Sequence, residues 1–226
     1  MIKRVLWLLI FISVATFAYA SDADLTGSWY LKFETGLSNA TGPDVKLENI
    51  VSADLGKSGD IGLGGGYQIY QKLRADLMFT YRGGLRQEID FADQLHARAN
   101  FSSVAAMLSA YYEFSDWHGT IPYLMGGLGY VHNHLDTVSI TDQQAAPVAS
   151  IQGGGWSNLG TQFGGGFAFK VREDWYLDAG YRYLHYGKYE SDDVIRYATQ
   201  TNQVFERHVG KFSANDFTVA LRIRFY

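Results

Sequence analysis

The chain contains no cysteine and only three prolines among its 226 residues. Without thiols there is no disulfide framework, no thiolate metal site, no cysteine nucleophile and no lipid-modified N-terminal cysteine. Nineteen Lys and Arg stand against 23 Asp and Glu, a formal net charge of −4, so the basic footprint of a nucleic-acid binder is missing. Past the N-terminal segment no apolar run is long enough for a membrane-spanning helix, and no stretch sustains a 3.6-residue period. What the chain has instead is 25 glycines and a heavy load of aromatics: 5 Trp, 16 Tyr and 14 Phe. With that content and only 19% charged residues, disorder is excluded as well.

Residues 1–20 read as a secretory signal. Lys3 and Arg4 supply the positive start, Val5 to Val14 the short apolar run, and Ala18-Tyr19-Ala20 the small residues a signal peptidase reads. Cleavage is expected between Ala20 and Ser21, leaving 21–226 as a single domain outside the cytoplasm.

That domain alternates with period two, the mark of strands with two unlike faces. The alternation predicts eight strands: Trp29–Leu37, Asp60–Tyr70, Arg74–Gly84, Ser103–Phe114, Pro122–Tyr130, Leu159–Lys170, Trp175–Tyr186 and Asp216–Phe225. Each has about the 9–11 residues that cross a bilayer at a tilt. Connections after the second, fourth and sixth are short. Those after the first, third, fifth and seventh are long and polar, namely Ser38–Gly59, Leu85–Ser102, Val131–Asn158 and Gly187–Asn215. Short turns on one rim and long loops on the other predict an all-β, eight-stranded antiparallel up-and-down transmembrane β-barrel.

A soluble lipocalin-like barrel also alternates, with its apolar face inward. Three features favour the membrane form. One parity collects charges of both signs, Lys32, Arg74, Arg82, Arg182, Arg222 and Arg224 with Glu34, Asp76, Glu113 and Asp178, joined by Asp60 and Lys170. Inside a lumen these pair, whereas an arginine facing mid-bilayer lipid costs roughly 2–4 kcal/mol. Aromatics gather at the short-turn ends, notably Trp29, Trp117, Trp175 and Phe225, where an interfacial girdle belongs. The last strand runs to the aromatic end Phe225-Tyr226. Eight strands leave an interior that side chains just fill, so a plugged lumen is expected rather than a wide pore.

On Pro122–Tyr130 (PYLMGGLGY), Asp174–Tyr183 (DWYLDAGYRY), the N-terminal segment and the alternating end Phe217–Phe225, the chain resembles the small Gram-negative outer-membrane barrels of the opacity-protein and OmpA transmembrane-domain type. The resemblance implies a cell-outer-membrane location, outer-membrane lipid and lipopolysaccharide as neighbours, and insertion by the barrel assembly machinery. It also implies loops that meet host-cell surface molecules. In that family the terminal residue is commonly Phe; here Tyr226 follows Phe225.

Candidate chemistry is sparse. A lipid A-modifying enzyme of this shape needs a serine near a histidine, yet Gly187 stands two residues after His185, where the nucleophile belongs. Glu190 lies near without one, and Ser191 and His208 share only a loop. His132 and His134 share one strand face with Asp136 beyond, the beginning of a zinc site that lacks a fourth ligand. The glycine runs at 62–66, 153–155 and 164–166 lack the helix and GK[ST] of a phosphate loop. No cofactor and no catalysis are expected. The reading is a non-enzymatic envelope protein displaying loops as a surface antigen or adhesin, with a narrow porin-like channel as the alternative.

Overall fold

The computed structural model describes residues 26–41, 50–55, 57–91, 96–141, 147–151, 153–190, 194–197, 203–204 and 209–225. The expected signal segment, with Ala20 and Ser21, lies outside the described residues, as do Ser191, His208 and Tyr226. The described chain forms β1 (Trp29–Thr41), β2 (Ile50–Leu55), β3 (Lys57–Tyr70), β4 (Leu73–Phe91), β5 (His96–Glu113), β6 (Thr120–Leu135) and β7 (Val138–Thr141). It continues with β8 (Pro147–Ile151), β9 (Gly155–Arg172), β10 (Trp175–Glu190), β11 (Val194–Tyr197), β12 (Gln203–Val204) and β13 (Val209–Phe225). Among the described residues, no helix is long and apolar enough to cross a membrane.

The eight long strands pair antiparallel in the ring β1-β3-β4-β5-β6-β9-β10-β13. First and last strands close it, in register from Trp29↔Phe225 to Thr41↔Ser213. Closure follows from the solvent: hydrocarbon offers no partner to a backbone N–H or C=O, so a spanning sheet can have no edge.

The long connections differ from the expectation of polar loops. β4 and β5 run on as a paired ribbon as far as Asp90↔His96, and β10 and β13 as far as Glu190↔Val209. The strands β2, β7, β8, β11 and β12 line up beside them and continue the same sheet. Outside the lipid zone both faces of a ribbon meet water, so the apolar alternation that marks a half-buried strand is absent there. His132, Asn133 and His134, read as the start of a loop, therefore belong to β6.

Side chains obey the pleat. On β13, Phe217 and Phe225 point out, while Asp216, Arg222 and Arg224 are buried. The interior is richer than charges and glycine alone. An apolar cluster of Ala105, Met107, Val131, Leu184, Tyr186 and Ala214 occupies the long-loop half, with Phe101 packed against it. Tyr111, Tyr123 and Ala168 form another nearer the short turns. The wall thins where large groups cross: a Cβ on Gly66 would lie 2.2 Å from Tyr30 Cζ and 2.5 Å from the Ala75 carbonyl oxygen. The glycine runs at 62–66 and 164–166 are thus strand glycines.

Candidate functional site

The lumen is the site the strands build. Among the described residues its buried charges are Lys32, Arg74, Arg82, Arg182, Arg222 and Arg224 with Glu34, Asp60, Asp76, Glu113, Asp178 and Asp216, six cations and six anions. Their alternate spacing on β1, β3, β4, β5, β10 and β13 sends them all inward; among the described residues, β6 and β9 contribute no buried charge.

Nearest the long loops, Arg82 Nη2 donates to Asp216 Oδ2 at 2.6 Å and Asp60 Oδ2 at 3.1 Å. Arg182 donates through Nε to the same Asp216 oxygen at 3.1 Å and through Nη1 to Glu34 Oε1 at 2.6 Å. Towards the short turns, Arg74 Nε donates to Glu113 Oε1 at 2.8 Å and Arg74 Nη2 to Asp178 Oδ2 at 3.4 Å. Arg222 meets both of those acids at 3.3 Å. Asp76 lies 3.7 Å from Arg74 Nη1. Lys32 stands between the groups, 3.0 Å from Glu34 and 3.6 Å from Asp76, and donates to the Tyr111 hydroxyl at 3.1 Å. Arg224 Nη1 donates to the Tyr176 hydroxyl. Removing one partner of such a buried pair is strongly destabilising, because it leaves an uncompensated charge.

Of the twelve charged residues named from parity, eleven are buried and Lys170 is half-buried; ion pairs join ten of the buried ones, and Arg224 meets Tyr176. Sequence reasoning missed Asp216, read merely as a strand start, although it shares parity with Arg222 and Arg224. It also missed the inward tyrosines Tyr30, Tyr111, Tyr123, Tyr176 and Tyr186. Arg74 lies 3.7 Å from the Tyr111 ring centre and Arg222 4.6 Å from that of Tyr176, both within cation–π range. Tyr30 shares its parity with Lys32 and Glu34, and that spacing was the available signal.

The outer surface is apolar. Leu128 (57% exposed), Phe163 (64%) and Phe217 (64%) face outward at mid-strand. Trp29, Trp117, Trp175 and Phe225 are exposed at the short-turn end. There Trp29 pairs with Phe225, Trp175 with Ile223, and the Trp29 and Tyr67 rings stand 4.8 Å apart.

Of the residues weighed for catalysis, Ser191 and His208 lie outside the described residues. His185 is half-buried, and Gly187 occupies a bulge with φ +86°. An unforeseen contact does form on the outside, where His132 Nδ1 lies 2.9 Å from Ser157 Oγ, which also receives the Tyr130 hydroxyl. His134 pairs with Asp136 at 3.5 Å. Among the described residues no group of three or more acids and histidines is placed to hold a metal ion.

A closed eight-stranded barrel with an oily exterior, a paired polar interior and an aromatic rim is an outer-membrane β-barrel protein. The chain belongs to the outer membrane protein beta-barrel domain family, whose model matches residues 5–225. It is a protein of the Gram-negative outer membrane.

Among solved structures the chain is similar to Neisserial surface protein A, at 18% identity and a TM-score of 0.56, covering 87% of this chain and 97% of that one. Ail, the attachment invasion locus protein of Yersinia pestis, in complex with the heparin analogue sucrose octasulfate, matches at 12% identity and 0.48, covering 88% and 99%. OprG of Pseudomonas aeruginosa matches at 13% and 0.46, covering 89% and 97%. At such identities the likeness is one of fold. No curated protein matches by sequence.

Proposed function

We propose that this protein is a non-enzymatic, non-conducting membrane scaffold: lipid and lipopolysaccharide hold the outer face, the ion-paired lumen is a plug, and the long loops are presented outside as a surface antigen or adhesin. A cleavable signal at 1–20 delivers the chain, and the barrel assembly machinery inserts it. The observation that carries this reading is that large inward side chains from four strands, Arg74, Arg82, Arg222, Tyr30, Tyr176 and Tyr186, are almost fully buried. The cavity lined by Met78, Arg82, Met107, Gln162, Arg182 and Leu184 gives the centre of a water molecule only about 10 Å³. That is room for about one water molecule. Rigid scaffolds with variable loops are where binding surfaces are commonly built.

Planar-bilayer recording of the refolded protein tests the plug. The expected result is a silent bilayer; steady openings would favour the narrow channel. Unchanged lipid A, by mass spectrometry of cells overexpressing the protein, is the expected result for a barrel without lipid-modifying activity.

A further inference from the structure

The buried groups of the lumen fall into two storeys. In the outer one Arg82 is held by Asp60 and Asp216, and its guanidinium lies 4.9 Å from the Tyr186 ring centre. Tyr186 belongs to the apolar cluster with Leu184, Met107 and Val131. Arg82 therefore fastens the charged wall of β3 and β13 to the apolar wall of β5, β6 and β10. In the inner storey Arg74 lies beside the Tyr111 and Tyr123 rings, 3.7 and 5.4 Å from their centres, and is tied to Glu113 and Asp178. The ion pairs that join the storeys run through Lys32.

The two storeys differ in what they touch. Arg82 is the last residue before the register shift between Arg82 and Leu85, beside Gly84 at φ +80°. Tyr186 lies within the shift between His185 and Gly187, where Gly187 has φ +86°. At such bulges a strand leaves the regular ladder and bends. Here both halves of the outer fastening sit where the membrane wall passes into the external hairpins. Arg74 and Tyr111 pair directly across β4 and β5, and the shift beside Arg74, between Gln68 and Tyr70 on β3, lies at the short turn and away from the external hairpins.

We propose that the lumen is closed twice, by an outer latch of Arg82 and Tyr186 coupled to the external hairpins and by an inner seal around Arg74 that opens independently of it. Movement of the hairpins then loosens the latch without breaching the permeability barrier. A surface-displayed barrel has use for that property, and the inference rests on the non-conducting reading above.

The absence of native cysteine gives a clean test. Ala105→Cys places a single buried thiol in the outer storey, and Ala168→Cys places one in the inner. Each is treated in folded protein with a small water-soluble thiol reagent, folding being checked by heat-modifiable gel migration. In the otherwise unchanged barrel both thiols are protected. Adding Arg82→Ser speeds labelling at 105 about tenfold or more, since labelling follows the population of the open form; 168 stays protected and the bilayer stays silent. Arg74→Ser does the reverse. Tyr186→Ser, which removes the other half of the latch, repeats the Arg82 result should that variant fold poorly. Both thiols becoming reactive together in any of these variants, neither responding in a folded variant, or Arg82→Ser conducting overturns the proposal. Conductance by the unaltered protein would instead sink the scaffold reading itself.

Discussion

At the residue scale, a few inward positions carry consequences far beyond their size. Asp216 accepts from both Arg82 and Arg182, so Asp216→Ala leaves two guanidinium groups buried without their shared partner. The expected cost is about 3–5 kcal/mol, the range for breaking a buried pair from one side. It is read as a lower urea midpoint for unfolding from lipid vesicles. Asp116 offers the contrast: its carboxylate accepts from the Gly119 N–H at 2.6 Å in an exposed turn. Asp116→Ala there costs about 1 kcal/mol or less, because water replaces the lost bond. Gly66→Ala forces a carbon against both the Tyr30 ring and the Ala75 carbonyl. Overpacking of that kind costs about 1–3 kcal/mol, measured by the same titration.

At the scale of the strand, the two faces carry opposite rules. Leu128 faces outward at the middle of β6, opposite Leu108 of β5 and Thr161 of β9. Leu128→Arg is expected to destabilise the barrel by about 2–4 kcal/mol, the cost of arginine at the bilayer midplane; near-neutral behaviour in vesicles would contradict that placement. Alternation made the eight spanning strands legible from sequence, since Phe217 and Phe225 had to lie opposite Arg222 and Arg224. It failed beyond the lipid, where the Glu88↔Arg98 pair stands in ribbon rather than loop. Within the lumen, charge was readable because an arginine has nowhere else to go, whereas tyrosine suits either face. Tyr112 lies outside and Tyr111 inside on adjacent residues of β5, and only the strand's phase separates them.

For the whole molecule, stability and silence come from the same construction. Closure of β1 onto β13 removes every edge from the ring of eight spanning strands, and among the described residues six buried cations balance six anions. The charges come from six neighbouring strands of the ring, and among the described residues β6 and β9 add none that is buried. The account as a whole stands on the oily parity facing lipid. Its most direct test is collisional accessibility of a nitroxide placed singly at Leu63, Leu128, Phe163 or Phe217 in reconstituted vesicles. The account predicts frequent encounters with apolar oxygen and few with a water-soluble nickel complex at all four positions. Labels shielded from both, or reached mainly by the nickel complex, would mean that these side chains line an interior, and would contradict it.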